Sequence, residues 1–265
     1  MQFLHRSLAN RRIALNAASI AAWIALTGTF AAEPEKSKSN DDQPPETIAR
    51  LLDGGSVSWR YYDPSEDKRR YPGRTEFQLA VRHKHLLKFD VVRRAGERRA
   101  VIEQRLDALK FTLTHTIELP QEYDTPRRWE RDLVLHELDH VAISTDPRPR
   151  QLIRYLYEQT TKIEVPLDAD EALDGKLAQN TMNDHLDVRL KAVIAVINWN
   201  NRLLDRVSDH GNREIPECAA FFERLYTKPN LDEAEFPFTG QVLELLKSEK
   251  YRRHVEEDAA GKPAG

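Results

Sequence analysis

Residues 133–143 read LVLHELDHVAI, with His136 and His140 four apart and Glu137 directly after the first. On a helix, side chains at i and i+4 lie on one face, one turn apart, so two neutral imidazoles at this spacing can grip one metal ion. Glu137 is rotated about 100° from His136 around the helix axis. It is too far round to be a matching ligand, but it can border the open position of the metal. There a carboxylate can take a proton from a water acidified by zinc and return it to a leaving amine, the use that hydrolytic zinc sites make of H-E-x-x-H. The residue types and spacing therefore predict Zn2+ as cofactor, His136 and His140 as ligands, and Glu137 as the general base.

A hydrolytic zinc site usually has three protein ligands and one open position. His210 stands in DRVSDHG (205–211), where a long helix should end, and Gly211 suits a left-handed cap that would fix it at a rigid corner. Asp205 or Asp209 is then an outer partner able to accept the second ring N–H of that histidine. His185, Asp146, Glu158 and Glu164 are the alternatives. Asp146 would need a turn at Ile143, a β-branched residue that resists positive φ. His210 is preferred to His185. His115 lies on the apolar face of a strand, as a core histidine or as a cleft residue touching substrate.

The elements that must hold these residues can be read from periodicity. Residues 57–119 carry strand signals, the clearest being LKFTLTHTIEL, in which Leu109, Phe111, Leu113, His115, Ile117 and Leu119 share one face. Such a strand could also offer an edge to an extended substrate. From Thr125, a capping residue followed by Pro126, a helix is predicted to about Ile143. Others follow over 151–160 and about 170–207, and shorter ones near 217–226 and 239–256. The predicted fold class is α+β: a small antiparallel β-sheet, then the H-E-x-x-H helix and a long C-terminal helix.

Residues 1–32 join Arg6, Arg11 and Arg12 to an apolar stretch and small residues before Ala31 and Ala32, the build of an export signal cleaved near that point. A secreted or periplasmic location is expected, without a stable membrane span after cleavage. The alternative is an anchor formed by residues 13–32. Residues 33–47, EPEKSKSNDDQPPET, read as a disordered linker. The domain is expected over 48–215, a helical extension over 216–258 and a loose tail over 259–265. Cys218 is the single cysteine, so no internal disulfide can form. With Lys+Arg 40 against Asp+Glu 43, a net charge of -3, the composition is not that of a nucleic-acid binder. Local arginine runs such as KRRYPGR read as solvated surface.

THTIELP (114–120), Trp129, HELDH (136–140) and DRVSDHG (205–211) together resemble a bacterial family of predicted secreted zinc-dependent proteases, a domain of unknown function. Asp205, Ser208, His210 and Gly211 match its D-x-x-[TS]-x-H-G segment, and the resemblance covers residues 57–215. It implies a zincin-like fold, with His136, His140 and His210 as ligands and Glu137 as base. Asp139 stands where that family commonly has a small residue. The function expected is a zinc metalloprotease acting on a peptide or protein substrate. Peptidoglycan cross-links are a further substrate. The alternative is a non-catalytic zinc-binding module that associates with protein or the cell wall.

Overall fold

The computed structural model describes residues 43–215, 217–249 and 251. The expected export signal, most of the linker and the tail lie outside the described residues. No helix among the described residues is long and apolar enough to cross a membrane.

Strands β1 (Val57–Tyr62), β2 (Arg74–Arg94), β3 (Glu97–Pro120) and β4 (Lys162–Pro166) form one sheet with β3 in its middle. β2 and β3 make one long hairpin. Ala95 and Gly96 both take positive φ at its tip, the turn whose twist matches right-twisted strands. Asp107 is an extra residue in β3, where the register shifts opposite Lys84 and His85. β4 joins the first part of β3 in antiparallel fashion, but β1 joins the last part in parallel. The sheet is therefore mixed and not purely antiparallel. The connection 63–73 carries the chain across the end of β3, so β1 and β2 flank that strand from opposite sides. Among the described residues β2 pairs with β3 alone, leaving its other edge open. The strand with the best alternation, 109–119, pairs with β2 as far as Glu118 and with β1 as well from His115 on, and the open edge beside the helix carrying His136 belongs to β2.

The helices are α1 (Glu46–Gly55), α2 (Asp132–Thr145), α3 (Pro147–Gln159), α4 (Gly175–Ser208), α5 (Cys218–Arg224), α6 (Lys228–Glu233) and α7 (Thr239–Lys247). The helix expected from Thr125 is broken. Pro126–Glu130 is a 3-10 turn, Arg131 is extended, and Thr125 makes no side-chain cap bond. Trp129 in that turn packs edge-on against Trp59 of β1. α3 starts earlier than its apolar pattern, because Asp146 accepts from the Arg148 N–H and Pro147 fits the first turn.

α2 lies between two apolar clusters. Val134, Leu138 and Val141 pack with Ile117 and Leu119 of β3 and the apolar side of α1. Ile143 joins the main core of α3, α4 and the inner face of the sheet. The segment after residue 215, expected as an extension, belongs to that main core through Phe221, Tyr226, Leu231, Phe236, Val242 and Tyr251. It also ties the helices together: the Tyr226 hydroxyl donates to the Ile143 carbonyl at 2.7 Å, and Asn230 Nδ2 donates to Asn200 Oδ1 at 2.8 Å. Buried Arg148 donates to the carbonyls of Phe222, Glu223 and Leu225. A chain ended after Ile215 is expected to lose its cooperative urea transition. Tyr226→Phe, which strands the Ile143 carbonyl, should keep the transition but lower unfolding free energy by about 1–2 kcal/mol.

Candidate metal centre

His136 and His140 project from the same side of α2, their ring centroids 4.8 Å apart. Across from them is the last turn of α4. Asp205 Oδ1 lies 3.3 Å from His136 Nε2 and 3.1 Å from His140 Nε2. The three donor atoms all fall within 4.8 Å of one another, and both histidines are buried.

The far side of each ring offers its Nδ1 an oxygen that can accept. His140 Nδ1 is 3.1 Å from Asn201 Oδ1, an oxygen that can only accept. Ser208 Oγ donates to the Leu204 carbonyl, so its oxygen accepts from the Gly211 N–H and from His136 Nδ1 at 3.4 Å. With both Nδ1 atoms donating, the two Nε2 lone pairs and the Asp205 carboxylate oxygen face one another. Three such atoms repel unless a proton or a cation lies among them. This donor set fits a metal ion.

Charge in the site follows the same logic. Burial works against ionising Asp205, but the imidazoles outweigh it and hold its carboxyl well below the ordinary range. Burial also works against charging His140. The Asp205 hydrogen bond and the Glu137 carboxylate prevail and raise its pKa above the ordinary histidine value. Without metal, the proton held by this pair stabilises the folded chain fully below the unfolded histidine pKa. That contribution is lost as pH rises through the raised value. Metal must displace the proton.

Glu137 is set beside the donors by β2 and the connection before it. Its Oε2 accepts from Thr75 Oγ1 at 2.6 Å. A Cβ on Gly73 would fall 2.1 Å from Oε1, so any larger residue there would push the Glu137 carboxylate out of this place. Burial chiefly raises the pKa of Glu137, with His140, Thr75 and His136 pulling the other way. Asp139, on the same helix but not on the cleft, is pushed up to about 6 by burial.

A cleft of about 810 Å³ opens in front of these groups. Its floor is His136, Glu137 and His140. One wall is the stretch Tyr71–Leu79, including the open edge of β2, and the other is the α4 face Ile194, Asn198, Asn201, Arg202 and Asp205.

His210 stands at the rim. Asp209, His210 and Gly211 all have positive φ after α4 ends. The two that are not glycine cost ~1–2 kcal/mol each. The His210 ring stacks on Tyr71, centroids 3.7 Å apart, with Nδ1 3.6 Å from Asp205 Oδ1. The geometry thus puts Asp205 among the donors and His210 one step outside them. Gly211 serves less as the cap than as space, since a Cβ there would lie 2.9 Å from the His136 side chain.

The other sequence candidates lie elsewhere. His115 bonds the Gly55 carbonyl at 2.6 Å and Ser144 Oγ at 2.5 Å, is buried, and does not line the cleft. His185 lies about 30 Å along α4 from Asp205. Asp146 caps α3 and pairs with Arg148, Glu164 pairs with Arg94 and Arg99, and Glu158 is exposed on α3. Tyr71, Gly73, Thr75 and Asn201 were not singled out from sequence. The first two sit in KRRYPGR, which does more than face solvent: Arg69 donates to buried Glu118 at 2.6 Å and pins that connection across β3.

No protein-family model, curated protein or solved structure matches this chain. The likeness to secreted zinc proteases therefore rests on the sequence segments that carry it.

Metal uptake is expected at one ion per chain, strongly weakened in Asp205→Asn. Its affinity should fall as pH drops, starting above the ordinary histidine range, because the raised His140 proton must leave. Titration of the metal-free protein with zinc across pH measures this, and a flat pH profile would contradict it.

Proposed function

We propose that this chain is a zinc-dependent peptidase, exported by its N-terminal segment, that hydrolyses peptide bonds with Glu137 as general base. The single observation that carries the reading is the placement of buried Glu137, oriented by Thr75, beside three converging donors in one open cleft. A site that only tied α2 to α4 would have no use for such a carboxylate.

Two imidazoles and a carboxylate with room for water form a donor set that suits catalytic zinc. Bound zinc would polarise the scissile carbonyl and make a water acidic near neutral pH. His136, His140 and Asp205 would hold it, with Ser208 and Asn201 fixing the ring orientations. Glu137 accepts a proton from the attacking water as its oxygen bonds to the carbonyl carbon. Its raised pKa lets it keep that proton and then deliver it to the amine nitrogen as the C–N bond breaks. Thr75 steadies the carboxylate through both steps, and the missing side chain at Gly73 leaves Oε1 its place. The open edge of β2 can pair with an extended substrate backbone, which brings a peptide bond past Glu137. Asp205 takes the third ligand role in this reading, and His210 lies close enough to steady it. The segments shared with secreted zinc proteases support the reading, as do residues 1–32 for export.

A second reading is a non-catalytic metal module, favoured by the way Asp205 bridges both histidines and so links α2 to the end of α4. Glu137→Gln separates the two. It should keep one zinc per chain and the wild-type unfolding midpoint while peptide cleavage falls by about 10²–10⁴-fold. An unchanged rate would remove Glu137 from the reaction. A zinc-loaded wild type that cleaves no peptide would favour the module.

A further inference from the structure

Two arginines line the cleft. Arg74 is paired with Glu76 on the same strand. Arg202, on the opposite wall, has no carboxylate within salt-bridge distance among the described residues. It lies instead over an aromatic face, with the guanidinium carbon 5.9 Å from the Trp199 ring centroid. Arg202 stands one helical turn before Asp205, on the face of α4 that lines the cleft.

Its neighbours on that wall are also donors. Asn201 gives its oxygen to His140, so its NH2 remains as a donor. Asn198, one turn further back, is exposed to the cleft. The negative charges close by are committed: Asp205 to the histidines, Glu137 to Thr75 and Glu76 to Arg74. A chain laid along the open edge of β2 sends every second side chain to the face of the sheet that α4 covers. We infer that Arg202, with Asn198 and Asn201 beside it, binds a carboxylate of the substrate next to the bond that is cut. The guanidinium fork matches a planar carboxylate with two parallel hydrogen bonds, which a neutral amide cannot supply. The carboxylate is either an acidic side chain or the free C-terminus of the substrate. The inference takes its substrate class from the peptidase reading, but carboxylate binding is testable without turnover.

Zinc-loaded Glu137→Gln is titrated with N-acetylated, C-amidated alanine-based peptides carrying one Asp or one Asn at each position in turn. The neutral peptide with a free C-terminal carboxylate is the further arm. One acidic member should bind about tenfold tighter than its neutral counterpart, the worth of one hydrogen-bonded charge. An Asp member identifies a side-chain site, and the free-carboxylate member a terminal one. Adding Arg202→Gln should abolish the difference, and Arg202→Glu should invert it. Arg202 is exposed, so neither change disturbs the core. Equal binding of all members, no binding by any, or a preference that survives Arg202→Gln overturns the inference. The same peptides offered to the wild type keep the two readings apart. Cleavage without acidic preference removes the Arg202 role and leaves the peptidase. Arg202-dependent binding without cleavage does the reverse.

Discussion

Two imidazole nitrogens and one carboxylate oxygen are held within 4.8 Å of one another between α2 and the end of α4, with their lone pairs inward. That convergence demands a positive charge at its centre, a proton or a metal ion. Much of the surrounding structure serves to keep it. Asn201 and Ser208 stand behind the two rings with oxygens that can accept from Nδ1. The left-handed run at 209–211 turns the chain under His136 at a cost in backbone energy, and Gly211 is the residue that fits against that ring. Strain of this kind persists where surrounding packing overdetermines it, and such places are commonly functional.

Glu137 is the second costly choice. A buried carboxylate is unfavourable unless its charge is matched or its proton retained. Here the histidines and Thr75 supply part of the match, and burial raises the pKa of what remains. The chain beyond residue 215 contributes indirectly: Tyr226, Asn230 and the carbonyls around Arg148 lock the end of α2 and the middle of α4 in one core. Placement of the cleft floor and of its α4 wall thus depends on residues that do not line it.

The pair His136 and His140 was legible in sequence because helical periodicity alone puts them on one face. Strand alternation in 109–119 and the apolar repeat of α4 were legible for the same reason. The open edge was not, since alternation says that a strand is half buried and not which strand has a partner on each side. Asp205 and His210 were both visible in DRVSDHG, but their order as donors depends on three successive positive φ values after α4, which spacing cannot give. Thr125 and Pro126 looked like a helix start, yet Trp129 is drawn to Trp59 and the helix begins only after extended Arg131. Gly73 and Tyr71 were hidden in an arginine-rich run whose composition resembles solvated surface.

The most direct test is a crystal structure of the zinc-loaded protein with an anomalous difference map collected at the zinc edge. The expected result is one strong peak bounded by His136 Nε2, His140 Nε2 and an Asp205 carboxylate oxygen, each at about 2.0–2.2 Å, with Glu137 beside the open position. No peak at that point, or a peak ligated by His210 while Asp205 stays outside, would contradict it.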